Sequence, residues 1–317
     1  MQKTISICIP VYNESVNIPI AVQEVENLFQ HQLSDYLLEI IITDNASTDN
    51  TWQVVQNLAA SRPYLRAFRF SRNFGYQNSV FAGLSMSTGD AVIELDADLE
   101  DPPVIIPKFV SRWEEGYDIV YGVRSKRYGS KFFLWSVERF YKMLNSISDI
   151  HIPENAGDFR LLDRKVVDLL KELPERNLYL RGLVSFIGFC QCPVPYERNE
   201  RLNGKSKFKV MHYVVLAIDA LTSFSKKPLR VIGILGILLF IFSSVLALYY
   251  LIGYLIGGSE ARGFTTLVIL TLFLHSTTFI FLGVLGEYLS RIFDDAKFRP
   301  RAIIQDAIHA DQHPPYV

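Results

Sequence analysis

From Val231 to Gly257 the chain carries no charged side chain, and from Phe264 to Gly286 it again carries none. As helices at about 1.5 Å per residue, these runs span roughly 40 Å and 34 Å. A bilayer's hydrocarbon core is about 30 Å thick, so each run is long enough to cross with some tilt. Two buried helices of a soluble protein are the weaker reading, because core helices are normally shorter. The connection "GSEAR" is short, which predicts a transmembrane helical hairpin. His275 and the Thr and Ser residues around it interrupt the second run and are expected to face the first helix.

Lysine and arginine give the hairpin a direction. Lys226, Lys227 and Arg230 precede it; Arg291, Lys297, Arg299 and Arg301 follow it; the loop holds only Arg262, beside Glu260. The positive-inside rule then predicts both chain ends on the cytoplasmic side. Cys8, Cys190 and Cys192 lack partners at metal spacing and fit a reducing compartment. The start, "MQKTISICIPVYNE", lacks a long apolar core and a small-residue cleavage site, and reads as a first strand rather than a signal peptide. The segment "FKVMHYVVLAIDALTSFSKKP" (208–228) mixes apolar and polar residues up to Pro228. It is expected to be an amphipathic helix in the membrane interface. A helix packed on the soluble part is the other reading.

The first 200 residues have a different texture. "TISICIPVY", "LLEIIIT", "LRAFRF", "DAVIELD" and "YDIVYGV" are short apolar runs of strand length. Between them, Val16 to Gln30, Thr51 to Ala60 and Gln77 to Met86 have helical spacing. This alternation predicts a mainly parallel sheet with helices on both faces. The ligand crevice of such a sheet lies outside the carboxyl ends of its strands. "PVYNE", "TDNASTD", "SRNFG", "DADLED" and "GVRSKR" all follow predicted strands, so polar and charged residues gather at one edge. Ser47 or Asp49 can cap the next helix. Capping does not account for Asp96, Asp98 and Glu100 together. A divalent cation would offset their repulsion, and Mg²⁺ takes oxygen ligands, often one or two carboxylates plus phosphates. No His or Cys lies near, which disfavours Zn²⁺. The formal net charge is −1, so nothing draws the chain toward nucleic acid.

In order and spacing, "PVYNE", "TDNASTDNT", "SRNFGYQNSVFAG", "DADLEDPP", "GDFRLLDR", "RLNGKSKF", "KPLR" and "KFRP" resemble glycosyltransferase family 2. The closest likeness is to its polyprenyl-phosphate branch, the bactoprenol glucosyltransferases and dolichol-phosphate mannose synthases. The resemblance implies an α/β GT-A (Rossmann-like) nucleotide-sugar-binding domain over 1–207. The interfacial helix (208–228), two transmembrane helices (229–290) and a cytoplasmic tail (291–317) would follow. It implies that Pro10, Tyr12 and Glu14 line the nucleoside pocket, that Thr43, Asp44 and Asn45 approach the base, and that Asp96 and Ala97 lie near the ribose. Asp98 and Glu100 would hold Mg²⁺ or Mn²⁺ on the diphosphate. Arg124, Arg201 and Lys207 would contact phosphates. Two departures stand out: Asn45 where a second Asp is common, and Glu100 where Gln is frequent.

The implied chemistry is transfer of a hexose, glucose from UDP-glucose first, to a polyprenyl phosphate with inversion. Such an acceptor has a second pKa near 6, so it is mostly dianionic at neutral pH and needs no strong base. Asp158 is the implied base; orienting Arg160 or the metal is its other role. Arg160, Arg124 and Arg139 are expected to grip the acceptor phosphate, because a guanidinium matches phosphate oxygens. The partners are then a nucleotide sugar, a lipid phosphate and the bilayer, with a homo-oligomer left open. A GDP-mannose-dependent synthase is the alternative within the branch. A processive polysaccharide synthase would carry a Q-x-x-R-W motif, which is absent. A lipid-carrier scaffold with a degenerate transferase domain is the rival outside enzymes.

Overall fold

The computed structural model describes residues 2–125, 139, 156–176, 178–199, 227–257, 263–309 and 316–317. Arg201, Lys207 and the expected interfacial helix up to residue 226 lie outside the described residues.

The apolar runs become strands β1 (Thr4–Val11), β2 (Leu37–Asp44), β3 (Leu65–Phe70), β4 (Ala91–Glu94) and β5 (Ile119–Arg124). Three more strands join them: β6 (Ala156–Asp163), β7 (Gln191–Tyr196) and β8 (Ile304–Ile308). The sheet order is β7-β5-β6-β4-β1-β2-β3-β8. The centre is parallel, as expected from β1 and β2, whose Ile-rich runs are buried on both faces. β6 runs antiparallel between β4 and β5, and β8 runs antiparallel beside β3. Among the described helices, α1 (Asn17–Gln32), α2 (Thr51–Ala59), α3 (Tyr76–Met86) and α4 (Ile106–Glu114) alternate with the first strands. α5 (Arg164–Glu172) and α6 (Leu180–Ile187) follow β6.

The sheet carries an apolar layer on each face. Ile5, Ile7 and Ile9 pack with Val22, Val25, Trp52 and Phe109. Cys8, Ile41 and Phe68 pack with Val80, Leu84, Val166 and Leu183. One ionised group is built into this structure. Glu39 on β2, 7% exposed, accepts bonds from Ser6 on β1, Arg66 on β3, and Thr88 in the turn before β4. At the β7 edge, Pro193 and Pro195 alternate with Val194 and Tyr196 and are exposed. Having no N–H, they leave that edge without a ladder for another strand.

α7 (Lys227–Gly257) and α8 (Phe264–Ala296) are the two apolar runs. Each holds a stretch long and apolar enough to cross a membrane, with none of that stretch buried in the protein. Phe240, Ile241, Val245, Ile269, Phe279 and Ile280 are all more than half exposed. An apolar surface of this extent calls for lipid or a partner around it. Two boundaries differ from expectation. Lys227 and Pro228 open α7, where proline in the first turn is tolerated because its missing N–H has no helical acceptor. α8 runs ten residues past Gly286, with a Glu287–Arg291 pair at 3.3 Å along its side.

The segment expected to be a tail returns to the domain. β8 lies within it, and Val317 pairs with Ala302 in both directions. Arg301, counted above among the cations flanking the membrane, is 8% exposed. It donates to Leu173 O and Glu175 O and lies 4.2 Å over the Phe81 ring. Burial, with Arg176 adding to it, pulls its pKa down to about 10. Arg301 is therefore a tie within the domain rather than a surface charge.

Candidate active site

The carboxyl ends of β1, β2, β4 and β5 converge with the loop after β3. β6 is antiparallel, so its first residues, Gly157 and Asp158, reach the same edge. Several residues here sit in the left-handed region without being glycine: Asn13 at φ 57, Ala46 at φ 59 and Leu99 at φ 55. Such strain persists only where surrounding bonds hold it. The bonds are present. Asn13 N donates to Ser47 Oγ (2.9 Å), Thr48 N to Asn13 Oδ1 (2.8 Å) and Glu14 N to Thr51 Oγ1 (2.9 Å). Leu99 N donates to Asp96 O, and Glu100 N to Asp98 Oδ1 (3.2 Å). These bonds stitch the loops together.

On one side lies the expected nucleoside pocket. Register places Pro10 opposite Thr43 and Val11 opposite Asp44. Tyr12 is 37% exposed, and Glu14 Oε2 accepts from Asn17. Asp44 is fully buried; its Oδ1 accepts from Ser47 N (3.0 Å) and Ser47 Oγ (2.5 Å). Its Oδ2, 3.4 Å from Arg69 Nε, accepts no hydrogen bond among the described residues, an open acceptor at the pocket. Burial pushes its carboxyl pKa up. Asn45 Oδ1 accepts from Phe74 N (2.8 Å), so this departure from the usual pattern ties the loop after β3 to β2. Of the two expected caps, Asp49 takes Thr51 N, whereas Ser47 bonds Asp44 instead.

The carboxylates after β4 are crowded. Tyr76 OH donates to Asp96 Oδ1 (2.8 Å) and lies 3.2 Å from Glu94 Oε1. Burial first, then Asp101 and Asp98, push Asp96 up to about 7. Ala97 is buried beside it, and Asp98 is 9% exposed. Asp101, 2% exposed, accepts from Tyr196 OH (2.5 Å) and pairs with Arg198 (3.3 Å) and Arg124 (3.6 Å). Arg198 also pairs with Glu100. Gly122 makes room for this arrangement: a Cβ there would lie 2.6 Å from the Tyr196 ring. Among the described residues no three His, Cys, Asp or Glu side chains are placed to hold a metal ion by themselves. The donors present are hard oxygens whose mutual repulsion a cation relieves. They fit a divalent ion that takes its remaining ligands from phosphate.

The expected acceptor side is a largely buried network. Asp158 makes a two-point pair with Arg181, Nε to Oδ1 and Nη2 to Oδ2, both 2.7 Å. Arg160 Nη2 reaches Asp158 Oδ1 at 3.3 Å, and Arg160 also donates to Gly157 O and Asp158 O. Across the β4–β6 register Arg160 stands opposite Glu94, 3.9 Å away. Burial works against ionisation of Asp158, but Arg181, Arg160 and Arg124 outweigh it and hold its pKa at about 2. Burial and Asp158 push Glu94 well up. Arg124 packs against Gly157, and Arg139 is exposed. Tyr76, Arg181, Tyr196 and Arg198 were not singled out from sequence. Arg181 follows a leucine–tyrosine run with no motif around it, so no local signal marks it.

A mainly parallel sheet with helices on both faces, polar loops at its carboxyl edge and carboxylates just after the fourth strand are the features expected of a GT-A-type glycosyltransferase fold. Residues 6–170 match the family described as Glycosyl transferase family 2, and the chain belongs to that family. It is 40% identical over 302 residues to a bactoprenol glucosyl transferase of Shigella phage SfX, covering 95% of this chain and 98% of the relative. It is 38% identical to the uncharacterized glycosyltransferase YkcC of Bacillus subtilis (strain 168), covering 97% of both. It is also 38% identical to a prophage bactoprenol glucosyl transferase homolog of Escherichia coli (strain K12), over 95% of this chain and 98% of the relative.

Proposed function

We propose that the chain transfers a hexose, glucose from UDP-glucose, to a polyprenyl phosphate at the cytoplasmic face of a membrane. The observation that carries the reading is one chain joining a strand-edge site of carboxylates and guanidiniums to two apolar helices. The 40% identity to a named bactoprenol glucosyl transferase supports it along nearly the whole length. A polyprenyl tail leaves the bilayer only at a cost of about 0.8 kcal/mol per CH₂, so the site must come to the headgroup.

The donor's base enters beside Asp44 and Asn45, its ribose near Asp96 and Ala97. Asp98 and Glu100 would hold Mg²⁺ or Mn²⁺ together with diphosphate oxygens. When bound, that ion would neutralise charge developing on the leaving diphosphate. Arg124, with Arg201 and Lys207, adds positive charge for the same phosphates. An oxygen of the lipid phosphate forms a bond to the anomeric carbon as the bond to the nucleoside diphosphate breaks, which inverts that carbon. The acceptor is mostly dianionic, so Asp158 need not take a proton.

The test is incubation of purified protein with a panel of nucleotide sugars, liposomes holding undecaprenyl phosphate, and Mg²⁺, Mn²⁺ or EDTA. Lipid-linked glucose from UDP-glucose, lost with EDTA and in Asp98→Ala, is the expected result. Transfer from GDP-mannose alone would make the chain a mannose synthase. Donor binding with no transfer from any sugar would make it a scaffold.

A further inference from the structure

We propose that Tyr76 and Glu94 form a hydrogen-bonded relay that positions Asp96 for a ribose hydroxyl of the donor. The inference rests on the reading above and deepens it.

Glu94 is a buried acid that the proposed chemistry leaves without a task. It ends β4, is 2% exposed and stands opposite Arg160 in the β4–β6 register. Arg160 does not hydrogen-bond it. That guanidinium is committed to Gly157 O, Asp158 O and Asp158 Oδ1, and its Nε stays 3.9 Å from Glu94 Oε2. Among the described residues, the hydrogen-bond partner of the Glu94 side chain is the Tyr76 hydroxyl, at 3.2 Å. The same hydroxyl lies 2.8 Å from Asp96 Oδ1. A phenol has one proton. The shorter contact, to Asp96, takes it. The tyrosine oxygen is then left to accept, and Glu94 must supply the second proton. Burial first, then Asp158, push the Glu94 carboxyl well up against the pull of Arg160, so it has a proton to give. Burial, Asp96 and Glu94 keep the phenol protonated. The order of donation is Glu94 to Tyr76 to Asp96.

The loop before α3 sets the tyrosine in place. Asn45 Oδ1 accepts from Phe74 N and Asn73 Oδ1 from Gly75 N, both at 2.8 Å. Gly75 has φ 91, which a side chain with a Cβ rarely permits, and its turn opens α3 at Tyr76, whose hydroxyl reaches the end of β4. At the other end of the relay, Asp96 is half-buried, and its Oδ2 accepts no hydrogen bond among the described residues. Oδ1 is the anchored oxygen, and Oδ2 is the one offered to a hydroxyl. Anchoring one oxygen fixes the plane of the group, so less side-chain freedom is lost when the ribose arrives. Glu94 and Tyr76 act through Asp96 and are positioning residues.

The experiment measures binding of UDP, 2′-deoxy-UDP and 3′-deoxy-UDP by calorimetry, on the full chain in detergent micelles with Mg²⁺. Melting followed by circular dichroism reports whether each variant is folded. Wild type should bind UDP about tenfold more tightly than one of the two analogues, the loss expected for one hydrogen bond to an acidic group. Tyr76→Phe keeps the ring and removes the middle oxygen of the relay. It should weaken UDP about fivefold and bind that same analogue within about twofold of wild type, so most of the discrimination disappears. Glu94→Leu should do likewise. Glu94→Gln, whose amide can still donate to Tyr76, should keep most of the discrimination. If Tyr76→Phe weakens UDP and the analogue alike, its role is merely structural and the proposal fails; wild-type affinity for UDP in Tyr76→Phe also overturns it. Full discrimination in Glu94→Leu removes Glu94 from the relay and overturns it, as does a loss in Glu94→Gln equal to that in Glu94→Leu. If Glu94→Leu does not fold, Glu94→Ala takes its place with the same two outcomes. Wild-type protein that binds no nucleoside diphosphate would sink the underlying reading and this inference together; wild-type protein that binds UDP without preferring it to either analogue sinks the inference alone.

Discussion

At the scale of single residues, Asp158 shows how surroundings limit a side chain's chemistry. A general base works best with a pKa near the operating pH. Asp158 is held at about 2 because its burial is outweighed by Arg181, Arg160 and Arg124. Between pH 5 and 8 it stays ionised, so its charge state does not change where activity is measured. The acceptor's second ionisation, near 6, does change there. Activity should therefore fall as pH drops below about 6, in step with the acceptor's conversion to its monoanion. Asp158→Asn should lower the rate by loosening Arg181 and Arg160 without moving that limb. A pH–rate profile of wild type and variant checks this, and a limb that vanishes in the variant would restore Asp158 as the base. The carboxylates of the site were legible in sequence because they cluster within one loop. Their partners were not. Arg181 lies 23 residues from Asp158, and Tyr196 lies 95 from Asp101, so only the fold brings these pairs together.

At the scale of elements, the first five strands were readable because apolar runs and turn residues are local signals. β6 was missed for the opposite reason. "AGDFRLLD" carries Asp158 and Arg160 inside the strand, which breaks the apolar run, and its place between β4 and β5 is set by long-range pairing. Its antiparallel sense nevertheless puts Asp158 at the carboxyl edge of its neighbours. Glu39 shows the same dependence on pairing, because four of its contacts come from other elements. Burial disfavours its charge, yet the bonds from Ser6, Thr88 and Arg66 outweigh that and lower its pKa. A carboxyl depressed in the fold adds stability above its unfolded pKa and loses it as pH falls through the folded value. Glu39→Gln leaves Arg66 without its buried partner and should cost about 3 kcal/mol at pH 7. The gap between variant and wild type should narrow below about pH 4, where the wild-type carboxylate is also being protonated. Thermal unfolding of both proteins across that range measures it, and a gap that stays constant into acid would contradict the role given to the charge.

At the scale of the molecule, the hairpin is not an appendage that follows a finished domain. α8 continues from its apolar stretch to Asp295, whose carboxylate accepts from Arg176 N at 2.8 Å. A few residues on, Arg301 clamps Leu173 and Glu175, β8 closes the sheet against β3, and Val317 packs with Phe70 and Ala82. The chain thus leaves the domain, forms two helices suited to lipid, and returns to complete the sheet. Cutting before α7 removes both the helices and the last strand, so lost activity would not tell anchoring from folding. A better variant replaces 227–296 with a flexible Gly/Ser linker and keeps 297–317. It retains Arg301, β8 and Val317, and loses the apolar helices together with the contacts that Phe293, Asp294 and Asp295 make to Lys297, Phe298 and Arg176. Its domain should melt within a few degrees of the intact protein and bind donor with similar affinity. The plain truncation should melt clearly lower, because it leaves β3 an open edge and exposes Phe70 and Phe81. Transfer to undecaprenyl phosphate in liposomes should fall at least a hundredfold in the linker variant, while transfer to a short, water-soluble prenyl phosphate should fall less than tenfold. Assaying both acceptors side by side decides the matter: equal loss on both, with donor binding intact, would mean that the helices shape the catalytic site rather than hold it at the headgroup plane.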